Sequence, residues 1–203
     1  MLSWLFALFV VVLLTTFPRA SHAAFTFTLV EVPDATATSG FDVDVTGSGT
    51  FNLADLTSAG PSTGNSSLVP SAALLGIDPS GGLDSYTGLT GPSSWGLGNQ
   101  TFASSSTGNS VAILGRALEL FVPSGYVSNT PLLDSATFTN QTFSSLGINP
   151  GTYTYTWGTG TNADSLTVQV GAPVPEPSSW LLVAGGMVLI GFHLARRRSA
   201  CAS

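Results

Sequence analysis

Lysine is absent from all 203 residues, and charged residues of any kind make up only 8% of them. The cations are Arg19, Arg116 and the run Arg196, Arg197 and Arg198; the histidines are His22 and His193; the one cysteine is Cys201. Each shortage removes a class of function. Without lysine there is no Schiff base and no lysine general base. One cysteine cannot close a disulfide on its own. A body with a single arginine cannot neutralise a phosphate backbone, so nucleic acid is excluded as a partner. Between residues 24 and 172 there is no His, Cys or Lys. That removes Ser-His-Asp and Cys-His nucleophiles and any histidine-ligated zinc, and no metal site or cofactor is read.

Serine, threonine and glycine are abundant instead, at 27, 24 and 23 residues. Hydrophobic runs sit at the two ends. Residues 2–14 are almost purely apolar and lead to Ser21-His22-Ala23, a small-x-small triplet. This is the pattern of a secretory signal peptide over residues 1–23, cut by signal peptidase after Ala23. No Lys or Arg precedes the run, and an uncleaved anchor is the other reading of the same stretch.

The second run begins at Trp180 and is apolar for 15 residues. Residues 180–195 read as a short transmembrane helix, since about 20 residues at about 1.5 Å each span the bilayer core. Arg196, Arg197 and Arg198 follow directly, and charges of that sign stay on the cytoplasmic side. The inner membrane therefore holds residues 180–195, the tail 196–203 lies inside, and the body lies outside. Cys201 belongs to the reducing side.

Just ahead, within the linker 173–179, stands Pro175-Glu176-Pro177. Two prolines keep this segment extended and out of helix or central strand. Pro-Glu-Pro, a short hydrophobic helix and a terminal arginine cluster together resemble the PEP-CTERM sorting signal of Gram-negative bacteria. The resemblance implies processing by exosortase, a membrane cysteine protease that recognises the Pro-Glu-Pro region. It assigns Pro175, Glu176 and Pro177 to recognition and Arg196, Arg197 and Arg198 to membrane orientation. Residues 143–170 are also similar to a block that precedes this signal in the family. The resemblance implies an exported location and a β-rich body, and no established activity.

Eleven acids remain between residues 24 and 178 against Arg116 alone, a net charge of −10. Such a surface stays soluble and repels anions. The fold class read from this body (24–172) is all-β, a single β-sandwich-like domain between the signal peptide and the transmembrane helix. Phe25, Phe27 and Leu29 alternate with polar residues, as do Phe41, Val43 and Val45, then Tyr153, Tyr155 and Trp157, then Leu166, Val168 and Val170. Period two with one apolar face is the mark of half-buried antiparallel strands. The last two sets predict a hairpin over 152–170. Residues 68–75 are the best helical stretch, and 81–109, rich in Gly and Ser, predict long loops or poor order.

No Gly-x-Ser-x-Gly elbow, phosphate loop or aspartic-protease triplet occurs. The catalytic class left open needs only two carboxylates, as in glycoside hydrolysis. Asp42 and Asp44 share a strand face, and Asp78 and Asp84 flank a Gly turn loosely like a calcium loop. The aromatic face of Tyr153, Tyr155 and Trp157 reads as core, and Trp95 as the more exposed aromatic of any binding surface. Two functions follow. One is a non-enzymatic, structural or glycan-associated protein of the cell surface or matrix, with extracellular polysaccharide as partner. The other is a secreted carbohydrate-active enzyme using two carboxylates.

Overall fold

Period-two alternation becomes strand pairing along the whole body. The computed structural model describes residues 24–78 and 82–171. The expected signal peptide with Ala23, the Pro175-Glu176-Pro177 linker, the apolar run 180–195 and Arg196, Arg197 and Arg198 lie outside the described residues. Six strands form one sheet: β1 (Phe25–Pro33), β2 (Phe41–Gly49), β8 (Ser105–Gly108), β11 (Leu132–Phe138), β12 (Gly151–Trp157) and β13 (Asp164–Val170). The other sheet has β3 (Thr57–Ser62), β4 (Ser67–Val69), β5 (Leu74–Ile77), β6 (Leu83–Thr87), β7 (Thr101–Phe102), β9 (Val111–Leu114) and β10 (Glu119–Pro123). Their orders are β12-β13-β1-β2-β11-β8 and β3-β6-β10-β9-β5-β4-β7. The protein is all-β in two sheets, and residues from both build one hydrophobic core.

The first and last strands meet in parallel, Phe25 opposite Leu166 and Leu29 opposite Val170. This puts β1 at the centre of its sheet, with Phe25, Phe27 and Leu29 fully buried. The expected hairpin is present, with Thr152 opposite Gln169 and Trp157 opposite Asp164. On the outer face the pairing sets Thr154, Thr167, Thr26 and Ser48 in one row. Thr152, Gln169, Thr28, Thr46, Ser135 and Thr107 form the next. Much of the Ser and Thr abundance is therefore the solvated side of a sheet whose other side is core.

Two expectations need correction. Residues 68–75 are not helical: β4 runs into a 3-10 turn at Pro70–Ala72, then reverses into β5. Pro70 ends the first strand, and Ala73 takes the left-handed conformation (φ 49°) that turns the chain. Of the expectation for 81–109, the long loop is present between β6 and β7, but the described part, 82–109, is not poorly ordered. It contains β6, β7 and β8, and the loop between β6 and β7 is pinned by its backbone. Trp95 N donates to Pro70 O at 2.8 Å, and the Leu97 and Gly98 amides donate to Gly147 O at 3.0 and 3.1 Å. Glycine serves close approach here: a Cβ on Gly96 or Gly98 would strike the carbonyl of Gly147 or Leu146.

The one short α-helix among the described residues, α1 (Phe143–Leu146), is set by its ends. Thr142 and Ser145 cap each other's backbone amides, and Gly147 closes it at φ 64°. Glu31 of β1 accepts the Phe143 amide at 2.5 Å and ties the helix to the sheet.

Candidate functional site

Tyr155 and Trp157 are buried and Tyr153 half-buried, so this face of β12 belongs to the core. Trp95 joins it, against the expectation of an exposed ring: it is 1% exposed. Its Nε1–H donates to Tyr155 Oη at 3.0 Å, and Tyr155 Oη donates to Pro92 O at 2.8 Å. Burial pushes the Tyr155 hydroxyl well above its ordinary range, with the Trp95 hydrogen bond pulling the other way. The Gly/Ser surroundings of Trp95 pointed outward. Its indole is apolar apart from one donor, and the core supplies the acceptor.

The acids hold loops. Asp42 Oδ1 accepts the Asn140 amide at 2.7 Å, and Asp44 Oδ1 accepts the Thr137 hydroxyl at 2.8 Å. Asp78 accepts Gly64 N at 3.1 Å and Ser110 Oγ at 2.6 Å, whereas Asp84 accepts Gly125 N at 2.9 Å. The two acids of the calcium-like turn thus engage different loops. Asp55 holds Thr159 N and Asn162 Nδ2, and the buried Asp164 holds Asn52 N at 2.6 Å. No group of three His, Cys, Asp or Glu residues able to hold a metal occurs among the described residues.

Asp134 differs, and sequence reading passed over it. It is 6% exposed on the inner face of β11, and neither carboxylate oxygen has a hydrogen-bond partner among the described residues. Burial pushes its carboxyl up to about 7; the nearby Gly47 amide opposes this without completing a hydrogen bond. The signal was its phase. Leu132, Asp134, Ala136 and Phe138 are successive inward positions.

The outer face of the seven-stranded sheet carries a groove of about 270 Å³. Cross-strand pairing explains it. One row runs from Phe102 through Ser67, Gly76 and Ala112 to Phe121. Small residues on three neighbouring strands leave a depression beside the Phe121 ring. Leu74 and Leu114, paired across β5 and β9, continue its apolar lining. Asn65 and Gln100 form a polar rim. Ser67, itself buried, links them: its Oγ donates to Asn65 Oδ1 at 2.8 Å and accepts from Gln100 Nε2 at 3.4 Å. Among the described residues, no charged side chain lines the groove.

Residues 173–199 match the model of the PEP-CTERM protein-sorting motif. This chain carries a PEP-CTERM sorting signal. The matched span takes in Pro175, Glu176 and Pro177 and the arginines Arg196 to Arg198. A PEP-CTERM signal marks the chain for export and makes exosortase its processing partner. No curated protein and no solved structure matches the chain. Among the described residues, no helix is long and apolar enough to cross a membrane.

Proposed function

We propose that this PEP-CTERM protein is a non-enzymatic component of the cell surface or extracellular matrix, structural or glycan-associated. Signal peptidase removes residues 1–23 after Ala23. Residues 180–195 hold the chain in the inner membrane with the body outside and Arg196, Arg197 and Arg198 inside. Exosortase then recognises Pro175, Glu176 and Pro177 and releases the body.

The observation that carries this reading is the sorting motif on a body without His, Cys or Lys. The carboxylates traced above support it, because most of them accept hydrogen bonds from loop groups. Replacing Glu176 by Ala is expected to leave the intact anchor on the protein in the membrane fraction. Mass spectrometry of both termini of the wild-type product should show Ala24 at one end and a cut near the motif at the other. Release of the variant as efficiently as wild type overturns exosortase recognition. Glycan hydrolysis abolished by one Asp→Asn change overturns the non-enzymatic role in favour of a two-carboxylate enzyme.

A further inference from the structure

We infer that the groove on the outer face of the seven-stranded sheet binds an uncharged pyranose segment of a polysaccharide. This rests on the glycan-associated reading above and gives that reading a site. The shape comes first. Strands lie about 4.8 Å apart, so Ser67, Gly76 and Ala112 make a floor two strand spacings wide, about 10 Å. Phe121 rises at one side of it in the same row. Phe102, 59% exposed on β7, ends the row next to Ser67, outside the lining itself.

The chemistry of the lining matches a sugar ring. A pyranose has C–H faces and a rim of hydroxyls that both donate and accept. Ala112, Leu114 and Phe121 offer apolar surface to the faces. Side-chain amides offer donors and acceptors together, as hydroxyl recognition requires. Ser67 fixes both amides in place through its own two hydrogen bonds. The Asn65 Nδ2 and Gln100 Oε1 atoms make no hydrogen bond among the described residues and are left for a ligand.

Charge selects the class of sugar. Among the described residues, the lining has no cation to meet a uronate, sulfate or phosphate. The net charge of −10 over residues 24–178 repels such chains as well. A neutral polysaccharide meets neither obstacle.

The full chain in detergent can be run through native gels containing hydroxyethylcellulose, galactomannan or, for comparison, alginate. Retardation is expected in at least one neutral gel and not in alginate. Ala112→Trp, which fills the floor, should abolish it. The double variant Asn65→Ala, Gln100→Ala changes only exposed side chains, and should weaken retardation by about tenfold or more. Far-UV circular dichroism checks the fold of each. Retardation unchanged in the double variant overturns the groove while leaving a glycan-associated protein standing. No retardation in either neutral gel overturns the inference too, and retardation by alginate overturns the choice of neutral sugar. Processing of the Glu176→Ala variant is read separately, so failure of the sorting reading is distinguishable.

Discussion

Asp134 on β11 lies directly across from Gly47 on β2, and a Cβ on that glycine would overlap the Asp134 carboxylate. On its other side the partner is Gly108 of β8. An inward-facing carboxyl is thus flanked by two glycines, one leaving it the space it occupies. What the pairing does not provide is a hydrogen bond. The group is accommodated by shape and left unsatisfied in charge, which makes it the least settled polar side chain of the inner sheet face.

Its titration sets a pH dependence. The carboxyl is raised to about 7 in the folded protein from 3.8. Between these values the native state holds the proton more tightly than the unfolded chain. Stability from this group is therefore fully present below about pH 4 and declines as pH rises to about 7, then levels off. The loss amounts to about 4 kcal/mol at most. Urea denaturation from pH 4.5 to 8 is expected to show falling midpoints for wild type and a flatter profile for Asp134→Asn. Parallel profiles for the two proteins would remove Asp134 as the cause.

Tyr155→Phe takes away the acceptor of Trp95 Nε1–H and the donor to Pro92 O. One buried and one part-buried polar group lose a partner, for a destabilisation of about 1–3 kcal/mol. Tyr153→Phe, at a half-buried ring whose hydroxyl donates to Asn149 O, should lose less. Thermal melts of the two variants decide the order, and equal stability of Tyr155→Phe and wild type would contradict the buried network.

Gly98→Ala drives a methyl into the Leu146 carbonyl, a backbone atom that cannot step aside. The expected cost is about 2 kcal/mol, accompanied by red-shifted tryptophan emission as the Trp95 loop lifts. Gly82→Ala provides the contrast, because its nearest neighbour is Ser124 Oγ at 3.6 Å, an ordinary contact. If both variants melt alike, close approach is not why the loop is rich in glycine.

The strands and their inward faces were legible because alternation is a local property, as in Tyr153, Tyr155 and Trp157. The sorting signal was legible because Pro-Glu-Pro, an apolar run and arginines stand in linear order. Strand order was not, since the pairing of Phe25 with Leu166 joins opposite ends of the body. The loop holding Trp95 was misread for a physical reason: glycine permits disorder and close packing alike, and composition does not separate the two. The groove was hidden in a similar way. Ser67, Gly76 and Ala112 are unremarkable along the chain and form a floor only when three strands align them.

The chain leaves the six-stranded sheet from the end of β13, bonded to β12 on one side and β1 on the other, with Gly171 N still held by Leu29 O. A pull directed along β13 from its C-terminal end would load both ladders in shear. Many hydrogen bonds must then give way together rather than one at a time.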